Sequence, residues 1–298
     1  FIGQNGHDAQ SFFVDGVSHA GSIVGRVVKY RHQCGYHKVK AGDFVVRPGR
    51  GAGGHADQFG RGAGPAGASA ALALGRRAGR VGIIEKAELP RHKTCGGGVL
   101  WRAIKLLPLS VASAVERECT AAELVHHEPD LRFVTGRPHP VVSMVMRDRF
   151  DHLLTKAAVA AGAELFAGRT LRAIELRPDG VRLGVDGGQI FEARTVIAAD
   201  GVNSAVARLT QRPALRNVVP ALECEVTYAE EEMARFRAAA RFDFGLVKAG
   251  YGWVFPKAGH LSIGVGTTRR GADSLPEAYG RYLRRLGLGT PQHEDRRG

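Results

Sequence analysis

Three glycines, Gly62, Gly64 and Gly67, have the GxGxxG spacing of a loop that binds the pyrophosphate of a dinucleotide. The first would permit a tight turn, the second would let the backbone approach the phosphates, and the third would let a helix pack closely on a sheet. The start of that helix, predicted over Ala66–Ala78, would offer free N–H groups and a partial positive charge. The next predicted strand, Arg80–Glu85, ends in a carboxylate suited to accept hydrogen bonds from ribose hydroxyls. Loop, helix, strand and acid in this order predict a dinucleotide site.

A second GxGxxG match lies at Gly49–Gly54, after the strand-like segment Asp43–Val46. Glycine-rich sequence resumes by Gly60, so no helix can follow this match, and no acid stands at the right distance. We therefore reject it. The accepted motif lacks one expected part, because His55–Arg61 has no apolar strand pattern. We expect the first strand of the fold to be missing or damaged.

From Gly62 onward, predicted helices and strands alternate. The other predicted helices are Val99–Glu116, interrupted at Pro108, Asp148–Ala161 and Pro276–Leu286. The other predicted strands are Val141–Met146, Ala163–Phe166, Leu171–Leu176, Val181–Val185, Ala193–Ala199, Glu223–Tyr228, Trp253–Pro256 and Leu261–Gly266. A turn at residues 178–180 joins two of them. This order predicts parallel α/β units with an antiparallel insertion.

Residues 1–61 differ from the rest of the chain. They contain no Leu and no Glu, are rich in Gly, and hold five of the 12 histidines. We leave this stretch unassigned and expect it to pack poorly and to be cleaved first by proteases. The segment Gly287–Gly298 is polar and patternless, so both ends resemble the edges of a fragment, and the start at Phe1 suggests that the natural N-terminus lies outside the chain.

Charge and cysteine content narrow the function classes. The four cysteines form no CxxC pair and no disulfide framework, which favours a reducing cytoplasm and argues against a zinc site. A net charge of +13 is compatible with solubility alone or with an anionic partner, such as a membrane surface or a diphosphate substrate. Nucleic acid is the least favoured partner, because the basic residues are scattered without interleaved aromatics. No apolar run reaches the roughly 20 residues of a membrane span.

Several short segments together resemble the geranylgeranyl reductase family, flavoproteins of the p-hydroxybenzoate hydroxylase fold group. The similarity extends over about Gly62–Gly266. The segments are Gly62–Gly67, Glu85-Lys86, Leu89–Gly98, Arg147–Asp151, Ala199–Ser204 and Gly250–Pro256. This resemblance implies a Rossmann-like FAD-binding domain with a parallel sheet, plus a substrate domain with a mixed or antiparallel sheet. We expect the former at 62–110 and 145–212, the latter at 111–144 and 213–288, and a tail at 289–298.

The resemblance also implies a set of cofactor contacts. The residues concerned are Gly62, Gly64, Ala66, Gly67, Glu85, Cys95, Gly96, Gly98, Arg147, Leu171, Asp200 and Gly201. Substrate would lie against Tyr251, Trp253 and Phe255, which share one face of a strand. No catalytic residue and no metal ligand is assigned.

Structural roles remain open for several of these residues. Cys95 could be a small buried residue, Arg147 a surface charge at a helix start, and Asp200 a helix cap near Val202. The three aromatic residues could pack in the core as readily as line a cavity. His126, His127 and His152 are interpreted as surface residues.

The family resemblance implies a cytoplasmic oxidoreductase that reduces isoprenoid C=C bonds, with contact with a membrane surface left open. Hydride would pass from reduced FAD to one alkene carbon and a proton to the other, with NAD(P)H or another reductant supplying electrons. A flavin-dependent aromatic monooxygenase shares the glycine loop and the Asp200 motif and stays an alternative. A non-catalytic, truncated nucleotide-binding remnant is the other alternative. It is favoured by the missing first strand and by the lack of the family's later Gly-Asp segment, and both predict weakened FAD binding.

Overall fold

The computed structural model describes residues 55–76, 80–212, 219–268 and 274–297. The helices within these ranges are α1 Pro65–Gly75, α2 Trp101–Lys105, α3 Arg147–Ala160, α4 Ala205–Leu209, α5 Glu230–Ala234 and α6 Leu275–Arg285. The strands are β1 His55–Arg61, β2 Val81–Ile84, β3 Gly98–Leu100, β4 Val115–Cys119, β5 Ala121–His127, β6 Asp130–Gly136, β7 Val142–Val145, β8 Ala163–Phe166, β9 Leu171–Arg177, β10 Gly180–Val185, β11 Ile190–Ala198, β12 Ala221–Thr227, β13 Ala239–Phe244, β14 Gly250–Pro256, β15 Leu261–Thr267 and β16 His293–Arg297. The rejected glycine motif and the expectation of loose packing before residue 55 lie outside the described residues.

The first sheet has the strand order β8-β2-β1-β11-β10-β9. Its first four strands are parallel, and the hairpin of β9 and β10 adds an antiparallel edge. Helices α1 and α3 pack together beside it, and their small apolar residues close a core with Val81 and Ile83. Because the parallel strands point the same way, β1, β2 and β11 all end at one edge. The glycine loop, Glu85 and Asp200 therefore emerge side by side.

The expectation that the first strand is missing was wrong. β1 pairs in parallel with β11 on one side and with β2 on the other, from His55 to Arg61. A central strand is held by backbone hydrogen bonds on both edges, so the ladder forms even where the side-chain pattern gives no apolar signal. The glycine loop thus has its supporting strand.

The second sheet has the strand order β16-β12-β15-β14-β13-β5-β6, and all of its pairs except β13 with β5 are antiparallel. Helix α6 covers one face, where Tyr279 and Tyr282 join Val254, Ile263 and Val265 in the largest apolar cluster. A three-stranded sheet, β3-β7-β4, combines strands from two stretches of the chain that β5 and β6 of the second sheet separate. The expected fold class, a parallel nucleotide-binding sheet with a mixed-sheet second part, is confirmed.

Strand β6 forms one edge of the second sheet. All seven of its residues are exposed, including the apolar Leu131, Phe133 and Val134. Among the described residues, it pairs only with β5. This edge is therefore open to solvent on both faces.

Two element predictions were wrong. The predicted helix Val99–Glu116 contains only the short α2 and a 3-10 turn at Ala112–Ala114, because the chain is interrupted at Pro108 and then enters β4, which pairs with β7. The polar tail contains β16, which pairs with β12 along the sheet edge. Charged side chains are tolerated on such an edge, where one side of the strand faces water.

Candidate functional site

The glycine loop turns sharply between β1 and α1. Gly62 has a φ of +98°, and its N–H donates to Ile84 O at 2.9 Å. A Cβ atom on Gly67 would lie 1.8 Å from Gly62 O, so only glycine allows α1 to approach the turn so closely. Gly64 is the N-cap residue of α1, at the predicted point between sheet and helix. The predicted loop is confirmed.

The N-terminus of α1 is free to bind an anion. Within the part of the chain that the structure describes, no side chain caps it, its first turn carries no acidic residue, and Ala66 is exposed there. A Cβ atom on Gly64 would lie 3.8 Å from Arg91 Nη2 and 3.9 Å from Arg147 Nη2. Two guanidinium groups therefore stand beside the helix N-terminus, as a bound pyrophosphate requires.

Asp151 holds these two arginines in place. Its side chain is fully buried and accepts from Arg147 Nε at 2.8 Å and Arg147 Nη2 at 2.9 Å. Arg91 Nη1 lies 3.2 Å from Asp151 Oδ2 but is not aligned for a hydrogen bond, so it retains a donor for a ligand. Burial alone would lower the pKa of Arg147, but the contacts with Asp151, and a smaller one with Cys95, raise it. Arg147 therefore keeps its charge in the site.

Arg91 was not among the predicted site residues. Its only sequence signal is its position in the segment Leu89–Gly98, which carries the family resemblance. Sequence distance hides its role, because Arg91 lies in a loop and its partner Asp151 comes 60 positions later, in helix α3.

Glu85 lies at the end of β2 and is buried. Its Oε2 accepts from Ala63 N at 2.7 Å and its Oε1 from Ala87 N at 3.2 Å, while Arg91 Nε lies 3.5 Å away. The carboxylate thus braces the glycine loop, and its contact with a ribose stays a prediction. Leu171, the predicted neighbour of the adenine, has its side chain in the core with Ile84. The segment just before it reaches the site, since Arg169 N donates to Glu85 O at 2.9 Å.

Asp200 caps helix α4. Its carboxylate accepts from Ser204 Oγ at 2.5 Å, Ala205 N at 2.7 Å and Val206 N at 3.2 Å. The helix begins at Ala205, slightly later than the expected start near Val202. The same loop reaches the glycine turn, because a Cβ atom on Gly62 would lie 3.2 Å from Asp200 Cα. Gly201, at a φ of +79°, allows this return.

The segment Cys95–Gly98 packs against the aromatic strand β14. A Cβ atom on Gly96 would lie 2.9 Å from Trp253 Nε1, and one on Gly98 would lie 3.2 Å from Phe255 Cε2. Because these glycines have no side chain, the rings of Trp253 and Phe255 can pack against them. This packing is a reason for small residues that could not be predicted from the sequence. Cys95 itself is exposed, so the alternative role as a small buried residue does not hold, and its contact with flavin stays a prediction.

The aromatic side chains of β14 and β13 form one continuous surface, which we call the aromatic face. Neighbouring ring centroids lie 5.3 to 6.4 Å apart. Its members are Phe242, Phe244, Tyr251, Trp253 and Phe255. Tyr251 is 38% exposed and Trp253 8% exposed, so the face is open at one end and packed at the other.

Trp253 is the fixed end of this face. Its ring lies over Gly264, where a Cβ atom would stand 2.1 Å from Cζ2. Its buried Nε1 has no hydrogen-bond partner among the described residues. Trp and Tyr commonly place such a donor toward a ligand or interface. The three predicted aromatics therefore both pack and present a surface.

The interpretation of His127 as a surface residue was wrong. Its side chain is 7% exposed, and Nε2 lies 2.7 Å from Asp243 Oδ1 on the face of the second sheet that α6 covers. Isolated histidines in a strand give no periodic signal that distinguishes a buried partner from a surface position. His126 is exposed, and His152 is half-buried.

Metal-binding clusters and membrane-spanning helices are both absent from the described ranges. They contain no group of three or more His, Cys, Asp or Glu side chains that could hold a metal ion. None of their helices is long and apolar enough to cross a membrane.

Residues 62–256 match the FAD binding domain family, and the chain belongs to that family. It is similar to the geranylgeranyl diphosphate reductase of Rhodobacter capsulatus, 33% identical over 228 residues that cover 71% of this chain and 54% of the relative. It is also similar to digeranylgeranylglycerophospholipid reductase 1 of Methanopyrus kandleri, 35% identical over 228 residues that cover 72% and 58% of the two chains. The expected resemblance to geranylgeranyl reductases is thus confirmed, and the chain spans little more than half the length of these relatives.

The fold is also similar to that of a solved structure. A geranylgeranyl bacteriochlorophyll reductase-like protein from Thermoplasma acidophilum superposes with a TM-score of 0.69 at 21% identity, over 82% of this chain and 66% of that one. The local geometry also fits FAD. A side chain larger than glycine does not fit at the glycine turn, and two guanidinium groups lie beside the helix N-terminus. The buried Nη1 of Arg91 has no hydrogen-bond partner among the described residues. Gly62, Gly64, Gly67, Arg91 and Arg147 would hold the pyrophosphate.

Proposed function

We propose that this chain carries the cofactor site and part of the substrate site of an FAD-dependent reductase of isoprenoid C=C bonds. One observation supports the proposal: the Cys95–Gly98 segment contacts Arg147 of the anion site through Cys95 and the aromatic face through Gly96 and Gly98. The names of the two similar reductases supply the substrate class, an isoprenoid chain. An apolar polyene needs an apolar surface beside the redox centre, and the aromatic face is such a surface.

The proposed cofactor contacts follow the family resemblance, with Arg91 added. They are Gly62, Gly64, Ala66, Gly67, Glu85, Arg91, Cys95, Gly96, Gly98, Arg147, Leu171, Asp200 and Gly201. The proposed FAD-binding part is 62–110 with 145–212, extended at its start by β1, and the proposed substrate part is 111–144 with 213–288.

The chain's own residues would bind, orient and exclude water. Arg91, Arg147 and the N-terminus of α1 would neutralise the pyrophosphate. Tyr251, Trp253 and Phe255 would hold the alkene against the Cys95–Gly98 segment and keep water from it. Bound FAD would supply the hydride once reduced by NAD(P)H or another reductant. A substrate of this kind dissolves in lipid, so contact with a membrane surface belongs to the proposal, as does a cytoplasmic location.

The test is a single-turnover experiment on the purified chain. The protein is loaded with FAD, its visible spectrum is recorded, and the flavin is reduced anaerobically with dithionite. Geranylgeranyl diphosphate is then added. We expect the flavin to reoxidise and the product to gain two hydrogens for each double bond reduced, measured by mass spectrometry.

A second arm addresses the aromatic monooxygenase. Reduced protein is mixed with oxygen and a phenolic substrate, and hydroxylated product is sought. Hydroxylation without alkene reduction would replace the proposed reductase with the monooxygenase. Absence of protein-bound flavin, after incubation with FAD and removal of the free cofactor by gel filtration, would favour the non-catalytic remnant.

A further inference from the structure

Lys257 follows directly after the aromatic strand β14 and is 2% exposed. Its Nζ donates to Gly96 O at 2.8 Å and to Val145 O at 2.9 Å. One ammonium group therefore links three separate segments of the chain: the end of β14, the Cys95–Gly98 segment and the end of β7.

The contact is tight on every side. Gly97 has a φ of +69°, and a Cβ atom there would lie 2.5 Å from Lys257 Nζ and 2.0 Å from Val145 O. Val145 N in turn donates to Gly97 O at 2.9 Å. The segment is thus clamped to β7 by a backbone hydrogen bond, and the lysine occupies the adjacent space.

Placing an ammonium group in this buried space costs desolvation free energy. Burial lowers the pKa of Lys257, and the carboxylates of Glu225 and Glu223 oppose that shift only in part. An apolar side chain of similar length would avoid the desolvation cost. What such a side chain would lack is directional donors, which fix two carbonyl groups at hydrogen-bond distance.

We propose that Lys257 is a positioning residue whose ammonium group fixes the Cys95–Gly98 segment against the aromatic face and the end of β7, and so sets the position of the backbone beside which the flavin ring must lie. The inference rests on the proposed function in one respect only, that the flavin ring lies beside this segment. The hydrogen bonds that carry it belong to the protein alone.

The test compares Lys257→Met and Lys257→Arg with the exposed-lysine control Lys156→Met. FAD and ADP affinities are measured by calorimetry, and amide hydrogen exchange at Val145 is measured without ligand. We expect Lys257→Met to weaken FAD binding about tenfold or more, since each hydrogen bond to a charged group contributes measurably. ADP binding should stay unchanged, because its proposed contacts at Gly62–Gly67, Glu85, Arg91 and Arg147 lie outside the Cys95–Gly98 segment that Lys257 holds. Exchange at Val145 should become faster, and Lys257→Arg should restore part of the FAD affinity.

Gly97→Ala offers an independent route to the same displacement and serves if Lys257→Met does not fold. It should produce the same selective loss of FAD over ADP. The proposal is overturned if FAD affinity and Val145 exchange are unchanged, or if FAD and ADP affinity fall together with the melting temperature. A chain that binds ADP but no FAD in its unaltered form would contradict the proposed function, while the exchange measurement would still decide the role of Lys257.

Discussion

Asp151 affects the anion site through the two arginines that it contacts. It is fully buried, accepts two hydrogen bonds from Arg147 and forms an ion pair with Arg91. This buried carboxylate therefore orients two guanidinium groups beside the glycine loop. A buried charge of this kind is stable only while paired. Removing either arginine should therefore affect both the anion site and the packing beneath it.

Arg147→Met tests the anion site. Loss of a charge-assisted contact worth about 1.5–3 kcal/mol should weaken FAD and ADP binding by roughly 10- to 150-fold. Riboflavin binding should be unaffected, because riboflavin carries no phosphate. The control is Arg149→Met on the same helix, where the arginine is 63% exposed and pairs with Glu116. Equal losses for riboflavin and ADP in titration calorimetry would contradict a phosphate role.

Gly67→Ala tests the close approach of α1. The added methyl group would meet Gly62 O, so we expect a loss of about 1–3 kcal/mol in the free energy of unfolding and a marked loss of FAD affinity. Gly259→Ala is the matched control, since no atom lies within 4 Å of its added Cβ. Urea unfolding of both variants measures the difference, and equal stabilities would remove the steric argument.

At the residue scale, the sequence predicted the site residues whose positions follow from the order of neighbouring elements along the chain. Gly62, Gly64, Gly67 and Glu85 are recognisable because loop, helix and strand follow one another along the chain. Arg91 and Lys257 were missed, because their partners lie tens of positions away and no short motif joins them. The packing of Gly96 against Trp253 was hidden for the same reason.

At the element scale, α6 is attached to the second sheet by a buried polar contact as well as by apolar packing. Tyr282 OH donates to Asp243 Oδ2 at 2.7 Å, and Arg241 donates to both Asp243 oxygens at 2.8 Å. Both Tyr282 and Asp243 are fully buried. Such a network is stabilising only while every member keeps its partner.

Tyr282→Phe should therefore lower the free energy of unfolding by about 1–3 kcal/mol. Tyr279→Phe, one turn earlier on α6, is the control. Among the described residues, no hydrogen bond of standard geometry reaches its hydroxyl. That variant should lose little or gain slightly. Thermal unfolding of the two variants separates the predictions, and equal losses would indicate that packing alone attaches the helix.

The same network makes stability depend on pH. Burial alone would raise the pKa of Asp243, but hydrogen bonds from Arg241, Tyr282 and His127 lower it below its ordinary value. Its contribution is therefore present above the unfolded pKa of about 3.9 and is lost as pH falls through the lower folded value. Asp243→Asn should be less stable than the unaltered chain at pH 6, and the difference should shrink below pH 4. A difference that stays constant across this range of unfolding measurements would assign the network no role in acid stability.

Strands with apolar runs were predictable and strands held by their neighbours were not. β8, β14 and β15 were found within a few residues, because their side chains are buried on at least one face. β1 and β16 give no such signal, and β6 is exposed along its length. Pairing through the backbone depends on which strands lie alongside, and that is a property of the tertiary fold.

At the scale of the whole molecule, the boundary before the fold lies earlier than the sequence suggested. Residues 49–298 form one compact unit that includes β1 at the centre of the first sheet. A chain shortened to residues 49–298 should keep the FAD affinity and the melting temperature of the full chain. A chain shortened to 62–298 should lose both, because β2 and β11 would lose their common neighbour. Equal behaviour of the two shortened chains in calorimetry and FAD titration would contradict a supporting role for β1.

The open edge at β6 has a consequence for how the molecule meets others. The backbone N–H and C=O groups of an edge strand can pair with an added strand of almost any sequence. The exposed side chains of Leu131, Phe133 and Val134 would add apolar contacts to such a strand pairing. A second copy meeting this strand about a twofold axis would join the two sheets into one continuous antiparallel surface. We therefore expect the seven exposed residues of β6, far along the chain from the glycine loop, to favour association between copies at high concentration.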